Sequence, residues 1–185
     1  EQIDLAQKLD PLAPIIGLTK AEIHFISGEV GRAIVECNRV VAMDSTFLGV
    51  YLLLGDASRY AGRDDQAAEA YANYYEAIAP GAGESIRRRF TNGGIDGVIR
   101  MVIGGTRQAS QHQYISPATM GFQFASIGEA DSAIVWLDKA YIERAHPLVS
   151  TGVSPDCEPI SDDPRFIDLL RRMKLDNVIP SYTRN

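Results

Sequence analysis

The side chains able to do chemistry in this chain are few and scattered. His24, His112 and His146 fall in three different segments. The cysteines, Cys37 and Cys157, stand 120 residues apart, with no CxxC and no histidine at a ligand spacing. A metal ion needs several such donors at one point, so no metal site is expected. Nucleophilic catalysis has no GxSxG turn to present a serine. The glycine pair Gly104–Gly105 has the outline of a phosphate loop, but no GK[ST] follows it. The acid pairs Asp64–Asp65 and Asp162–Asp163 precede or open predicted helices, where capping and the helix dipole account for them without acid–base catalysis. His24 takes a place usually held by a packing aromatic, and Cys157 reads as a small buried hydrophobe. The expectation is a protein that is not an enzyme and carries no cofactor.

Charge narrows the partners. Against 24 acidic residues stand 18 lysines and arginines, a net charge of −6 on 185 residues, and such a surface repels phosphate backbones. Direct nucleic-acid binding is therefore not expected, and the basic run Arg87–Arg89 reads as a solvated helix face. The longest apolar run, Leu48 to Leu54, is too short to cross a bilayer, and the opening "EQIDLAQKLD" has no secretion signal. No membrane segment is expected in this fragment. Two unforced thiols favour the cytoplasm, with the periplasm as the alternative if a longer parent has a span upstream.

The elements that would position any site are announced by a repeat. "GEVGRA", "GRDDQA" and "GEADSA" place a glycine five residues before an alanine, at Gly28/Ala33, Gly62/Ala67 and Gly128/Ala133. Gly28 and Gly62 are 34 residues apart, as are Ala33 and Ala67, and Gly62 to Gly128 is 66, close to two periods. A 34-residue period with this punctuation is that of the tetratricopeptide helix–turn–helix unit. The glycine lets the chain reverse after the first helix, and the alanine sits where the second helix comes close to it. Twelve residues before each alanine stand Ala21, Gly55 and Gly121, the small partners that such an approach requires.

This pattern predicts helices over 14–27 and 30–43, 47–61 and 64–78, and 117–127 and 130–143. Residues 81–113 form a degenerate copy, two helices broken at Gly93–Gly94, with Val98 or Ile99 in the alanine's place and altered packing expected. The domain then divides into the end of a repeat at 1–11, repeats at 12–45, 46–80, 81–113 (degenerate) and 114–147, and a C-terminal cap at 148–185. The start in mid-pattern, without methionine, makes residues 1–9 the second helix of a truncated repeat, with more repeats expected before it. In the cap, Asp163–Pro164 is a helix start, and Phe166, Leu169, Leu170 and Met173 form one apolar face. "SPDCEPI" echoes "DPRFIDL", with Pro155 and Cys157 standing as Pro164 and Phe166 do.

The combination of "ISPATMGFQFASIGEADSAIVWLDKAYIERAHPLV" with "DDPRFIDLLRRMKL" resembles the C-terminal tetratricopeptide module of bacterial multidomain regulators. In those proteins it follows a winged-helix DNA-binding, protein kinase or adenylate cyclase domain. The resemblance implies an interaction or sensory module whose output domain lies elsewhere.

The expected fold is all-α, a right-handed superhelical array of antiparallel helix hairpins, an α-solenoid, closed by a C-terminal capping helix. The first helices of such hairpins line a concave groove suited to peptides. The repeat register points Leu18, Glu22 and Phe25 into it from the first copy, Leu52, Asp56, Arg59 and Tyr60 from the second, and Phe122 and Ser126 from the last. The leading expectation is a protein- or peptide-binding regulatory module. The alternatives are a homodimerising scaffold for attached output domains and, third, a small-ligand sensor using the irregular Gly81–Gln113 region.

Overall fold

A computed structural model describes residues 2–175, apart from the side chain of Pro147. Among the described residues the secondary structure is entirely helical. In chain order the helices are α1 (Gln2–Leu9), α2 (Pro14–Ile26), α3 (Val30–Met43), α4 (Gly49–Tyr60), α5 (Asp64–Ile78), α6 (Ala82–Ala109), α7 (Pro117–Ala125), α8 (Ala130–Glu143) and, after two short 3-10 turns, α9 (Pro164–Arg172). Consecutive helices pack in pairs: α2 on α3, α4 on α5, α7 on α8. The chain divides into two compact units, Glu1–Val98 and Ile99–Asn185.

The three hairpins share one turn. After α4 the chain reverses at Gly62, whose φ of +68° is a left-handed conformation open to glycine at little cost. The Gly62 amide donates to the Arg59 carbonyl at 2.9 Å and the Arg63 amide to the Ser58 carbonyl at 2.8 Å, closing off carbonyls that the helix end would leave bare. Gly28 and Gly128 repeat this geometry, with Glu29 donating to His24 at 2.8 Å and Glu129 to Phe124 at 3.0 Å.

Past the turn, Ala33, Ala67 and Ala133 are fully buried. The helices touch where one partner is very small. A Cβ on Gly55 would lie 2.6 Å from the Tyr71 ring, and one on Gly121 would lie 2.6 Å from the Leu137 side chain. In the first hairpin the corresponding residues are Ala21 and Cys37, both fully buried. The larger residue at one position accompanies the shorter one at the other, which explains why a cysteine stands where the other copies have tyrosine and leucine.

In the first unit the core runs through Ala21, Phe25, Ile34, Val40, Val50 and Leu54. Lys20 ties α1 to α2 and α3, donating to Gln7 at 3.0 Å and pairing with Asp4 at 3.1 Å and Glu36 at 3.4 Å. The expected α4 start at Phe47 is two residues early. Asp44 holds Thr46 in a turn, accepting from its amide at 2.9 Å and its hydroxyl at 2.7 Å, so the helix begins at Gly49. The degenerate copy is two helical segments, α6, meeting at a kink at Gly94, where φ is 61° and ψ −165°, so the break falls at the glycine pair as the sequence predicts. Arg89 spans that break, its Nε donating to the Gly97 carbonyl at 3.2 Å, while Arg87 forms a two-pronged pair with Glu69 of α5. Of the expected solvated basic face, Arg88 alone is left without such a bond among the described residues.

The second unit is closed by three turns in nine-residue steps. Leu148, Cys157 and Phe166 are buried, and so are Thr151, Ile160 and Leu169 three residues after each. Each turn is entered from a residue near φ −65° and ψ +125°: Ala145, Ser154 and Asp163. The echo read between the last two copies therefore has a third member upstream. Asp163 caps α9, accepting from the Arg165 amide at 2.8 Å and from its guanidinium at 2.7 Å.

Two measurements check this packing. Gly121→Ala should lower stability by about 1–3 kcal/mol in urea denaturation, since Leu137 must move to admit the methyl group; an unchanged midpoint would remove the close approach from the account. Arg165 holds the Asp163 carboxyl at about 2, below its ordinary 3.8. A lowered folded-state pKa contributes stability above the unfolded value that disappears as pH falls through about 2. Asp163→Ala should therefore unfold more readily than the parent at neutral pH, and the two denaturation midpoints should converge as the pH approaches 2.

Candidate interaction surface

α2 and α4 lie side by side in the first unit. Leu18 reaches the start of α4, where a Cβ on Gly49 would sit 3.4 Å from its Cδ2. Phe25 reaches the end of α4, its ring edge-on to Tyr60 at 6.2 Å between centroids and 89° between planes. The two contacts set α2 and α4 parallel along a seam, and Glu22 and Asp56 fall between those contacts in sequence, one on each helix.

Both carboxylates act on one buried sulfur. Burial first, then Glu22, Glu36 and Asp56 push the Cys37 thiol up to about 12, so both groups of the seam lie within electrostatic reach of that sulfur. Desolvation raises the Glu22 carboxyl above its ordinary range. Glu22 makes no hydrogen bond or ion pair among the described residues. Asp56 accepts from the Tyr71 hydroxyl at 2.6 Å. Burial, followed by Tyr74 and Asp56, pushes the Tyr75 phenol up to about 12. Arg59, half-buried, stands three residues after Asp56 on α4.

The residues assigned to the groove by repeat register fall into three groups. Leu18, Leu52, Asp56, Arg59 and Tyr60 are half-buried and Glu22 is exposed, so all six are reachable from solvent. Phe25 is 6% exposed and belongs to the core, acting as the support on which Tyr60 rests. It stands four residues after Ala21 and eight after Gly17, both buried, on the inward face of α2. Phe122 and Ser126 lie in the second unit, both half-buried, with the Ser126 hydroxyl donating to the Gln123 carbonyl at 2.9 Å. The register did not single out Tyr71, whose hydroxyl donates to Asp56 from α5, or Tyr75, whose phenol lies within electrostatic reach of it. The signal for Tyr71 was its place four residues after Ala67.

The other reactive side chains have local partners. The His24 Nδ1 lies 2.5 Å from Glu29 Oε2. Cys157 is fully buried and burial raises its thiol, so neither cysteine offers a thiolate near neutral pH. Among the described residues no group of three His, Cys, Asp or Glu side chains is placed to hold a metal ion, and no helix is long and apolar enough to cross a membrane. In the native protein, a thiol-specific chromogenic reagent at pH 8 should find both cysteines silent, and two thiols should appear on denaturation. Fast labelling of either in the folded state would contradict the burial described.

Compared with family models, with curated proteins and with solved structures, the chain has no match.

Proposed function

We propose that the chain is a non-enzymatic interaction module that binds an extended peptide or protein segment along the α2–α4 seam. We also propose that its hairpins follow one another in the manner of a tetratricopeptide array, serving a larger regulatory protein. The observation that carries the reading is the pair Glu22 and Asp56. Two carboxylates, one on each helix, lie within electrostatic reach of the same buried sulfur, Cys37, and half-buried Leu18, Leu52 and Tyr60 stand on the same two helices. One of them, Glu22, is partly desolvated though still open to solvent, and lacks a partner among the described residues. A partly desolvated, unpaired carboxylate gains from a cation brought to it, so the segment that fits carries a lysine or arginine flanked by apolar residues. The repeated turn and the small-against-large helix contacts support the array.

A second reading, self-association, is favoured by Leu5, Leu9, Leu12 and Ile15. These are 59%, 79%, 74% and 58% exposed within one short stretch of chain from α1 to the start of α2, and exposed large apolar side chains that form a contiguous patch mark contact sites.

The test is selection from a random peptide display library on the immobilised chain. Peptides with one basic residue between apolar ones should be enriched, and their binding should fall about tenfold or more on Glu22→Lys, with helicity unchanged by circular dichroism. No enrichment, or enrichment indifferent to Glu22→Lys, would sink the seam as a binding site. Light scattering over a hundredfold concentration range decides the second reading. A constant monomer mass removes it.

A further inference from the structure

The second unit holds a cavity of about 310 Å³ that the seam does not involve. One wall is the second half of α6, where Arg100, Gly104 and Arg107 stand at i, i+4 and i+7 on one face. Ile103 of the same helix, with Phe124 and Ile127, supplies the apolar part of the lining, and Glu129 and Ser132 complete it.

The two guanidiniums are in different states. Arg100 is paired with Glu129. Arg107 has its guanidinium carbon 5.9 Å from the centroid of the Phe124 ring, and its side chain makes no ion pair among the described residues. A planar cation laid on an aromatic face keeps its outward N–H donors, arranged as a fork that matches a carboxylate. Between the two arginines, Gly104 leaves the floor open. A Cβ built there meets nothing within 4 Å, so no close contact calls for glycine in this helical position, where it weakens the helix relative to alanine. With two arginines against one glutamate, the cavity has a surplus positive charge in a chain whose net charge is −6.

We propose that this cavity binds an organic carboxylate, with Arg107 taking the carboxylate and Ile103, Phe124 and Ile127 covering the apolar body. A volume near 310 Å³ suits an aromatic or short aliphatic acid, at the small end of ligand sites. Glu129 disfavours a doubly charged phosphate in the same space, because its own carboxylate lines the cavity. The acid has two possible sources, a free small molecule or the carboxyl terminus of a peptide chain. This site is independent of the α2–α4 seam, and neither proposal depends on the other.

The test follows backbone amide shifts by nitrogen-15 correlation spectroscopy, in which the Gly104 and Gly105 signals are readily assigned. The probes are benzoate, a tripeptide ending in phenylalanine with a free carboxylate, and the same tripeptide as its C-terminal amide. Saturable shifts at Gly104 and Phe124 are expected with at least one of the acids in the millimolar range or below. The tighter of the two acids identifies the source. Arg107→Gln should weaken that binding about tenfold or more, and Gly104→Leu should abolish it by filling the floor while the thermal midpoint does not fall. The proposal is overturned by an absence of saturable shifts with both acids. Unchanged binding by Arg107→Gln, or an amide that binds as tightly as its acid, would overturn it equally.

Discussion

Everything described depends on how closely the two helices of a hairpin approach. Gly55 under the Tyr71 ring and Gly121 under Leu137 leave no room for even one added carbon. The buried alanines Ala33, Ala67 and Ala133 hold the same interface from the other helix. Interiors are packed as densely as organic crystals, so an interface this tight admits few relative orientations of its helices. The turn glycines make that orientation reachable, because a 6→1 hydrogen bond from Arg63 to Ser58 and its two counterparts end each first helix at the same point. Turn and contact thus fix each hairpin, and the hairpin fixes which side chains of its first helix face outward.

That dependence explains what could be read from the sequence. The bounds of α3, α5 and α8 follow from the glycine-to-alanine spacing because both residues are forced, one by backbone conformation and the other by space. α4 starts later than the pattern suggests, since a side chain outside the repeat, Asp44, captures the preceding backbone. Phe25 shows the limit of reading a site from register. Repeat position places it toward a groove, while its spacing from Gly17 and Ala21 places it in the core, and burial of a large aromatic outweighs an assigned role. Glu22 and Asp56 were legible as outward positions. That both lie within electrostatic reach of Cys37 was not, because it depends on how α2 lies against α4, and no spacing along the chain encodes that angle.

The two candidate sites use opposite charges and different kinds of wall. The seam in the first unit sets carboxylates among tyrosines, and the cavity in the second sets guanidiniums beside aliphatic side chains and one phenylalanine. Helix packing with small residues creates concavities as a by-product, and whether they are solvent-filled dents or binding sites depends on the few charged side chains at their rims.

The size match inside each hairpin also governs how such a chain could be rearranged. The second helix of one hairpin cannot be exchanged for that of another without regard to its partner. Tyr71 fits over Gly55, but it would meet an added methyl group on Ala21, where Cys37 now stands. Whole hairpins can be duplicated or transplanted, because each carries both halves of its own fit. Recombination that cuts at a turn breaks that fit, whereas a cut between hairpins preserves it, so the unit of inheritance in this architecture is the matched pair and not the single helix.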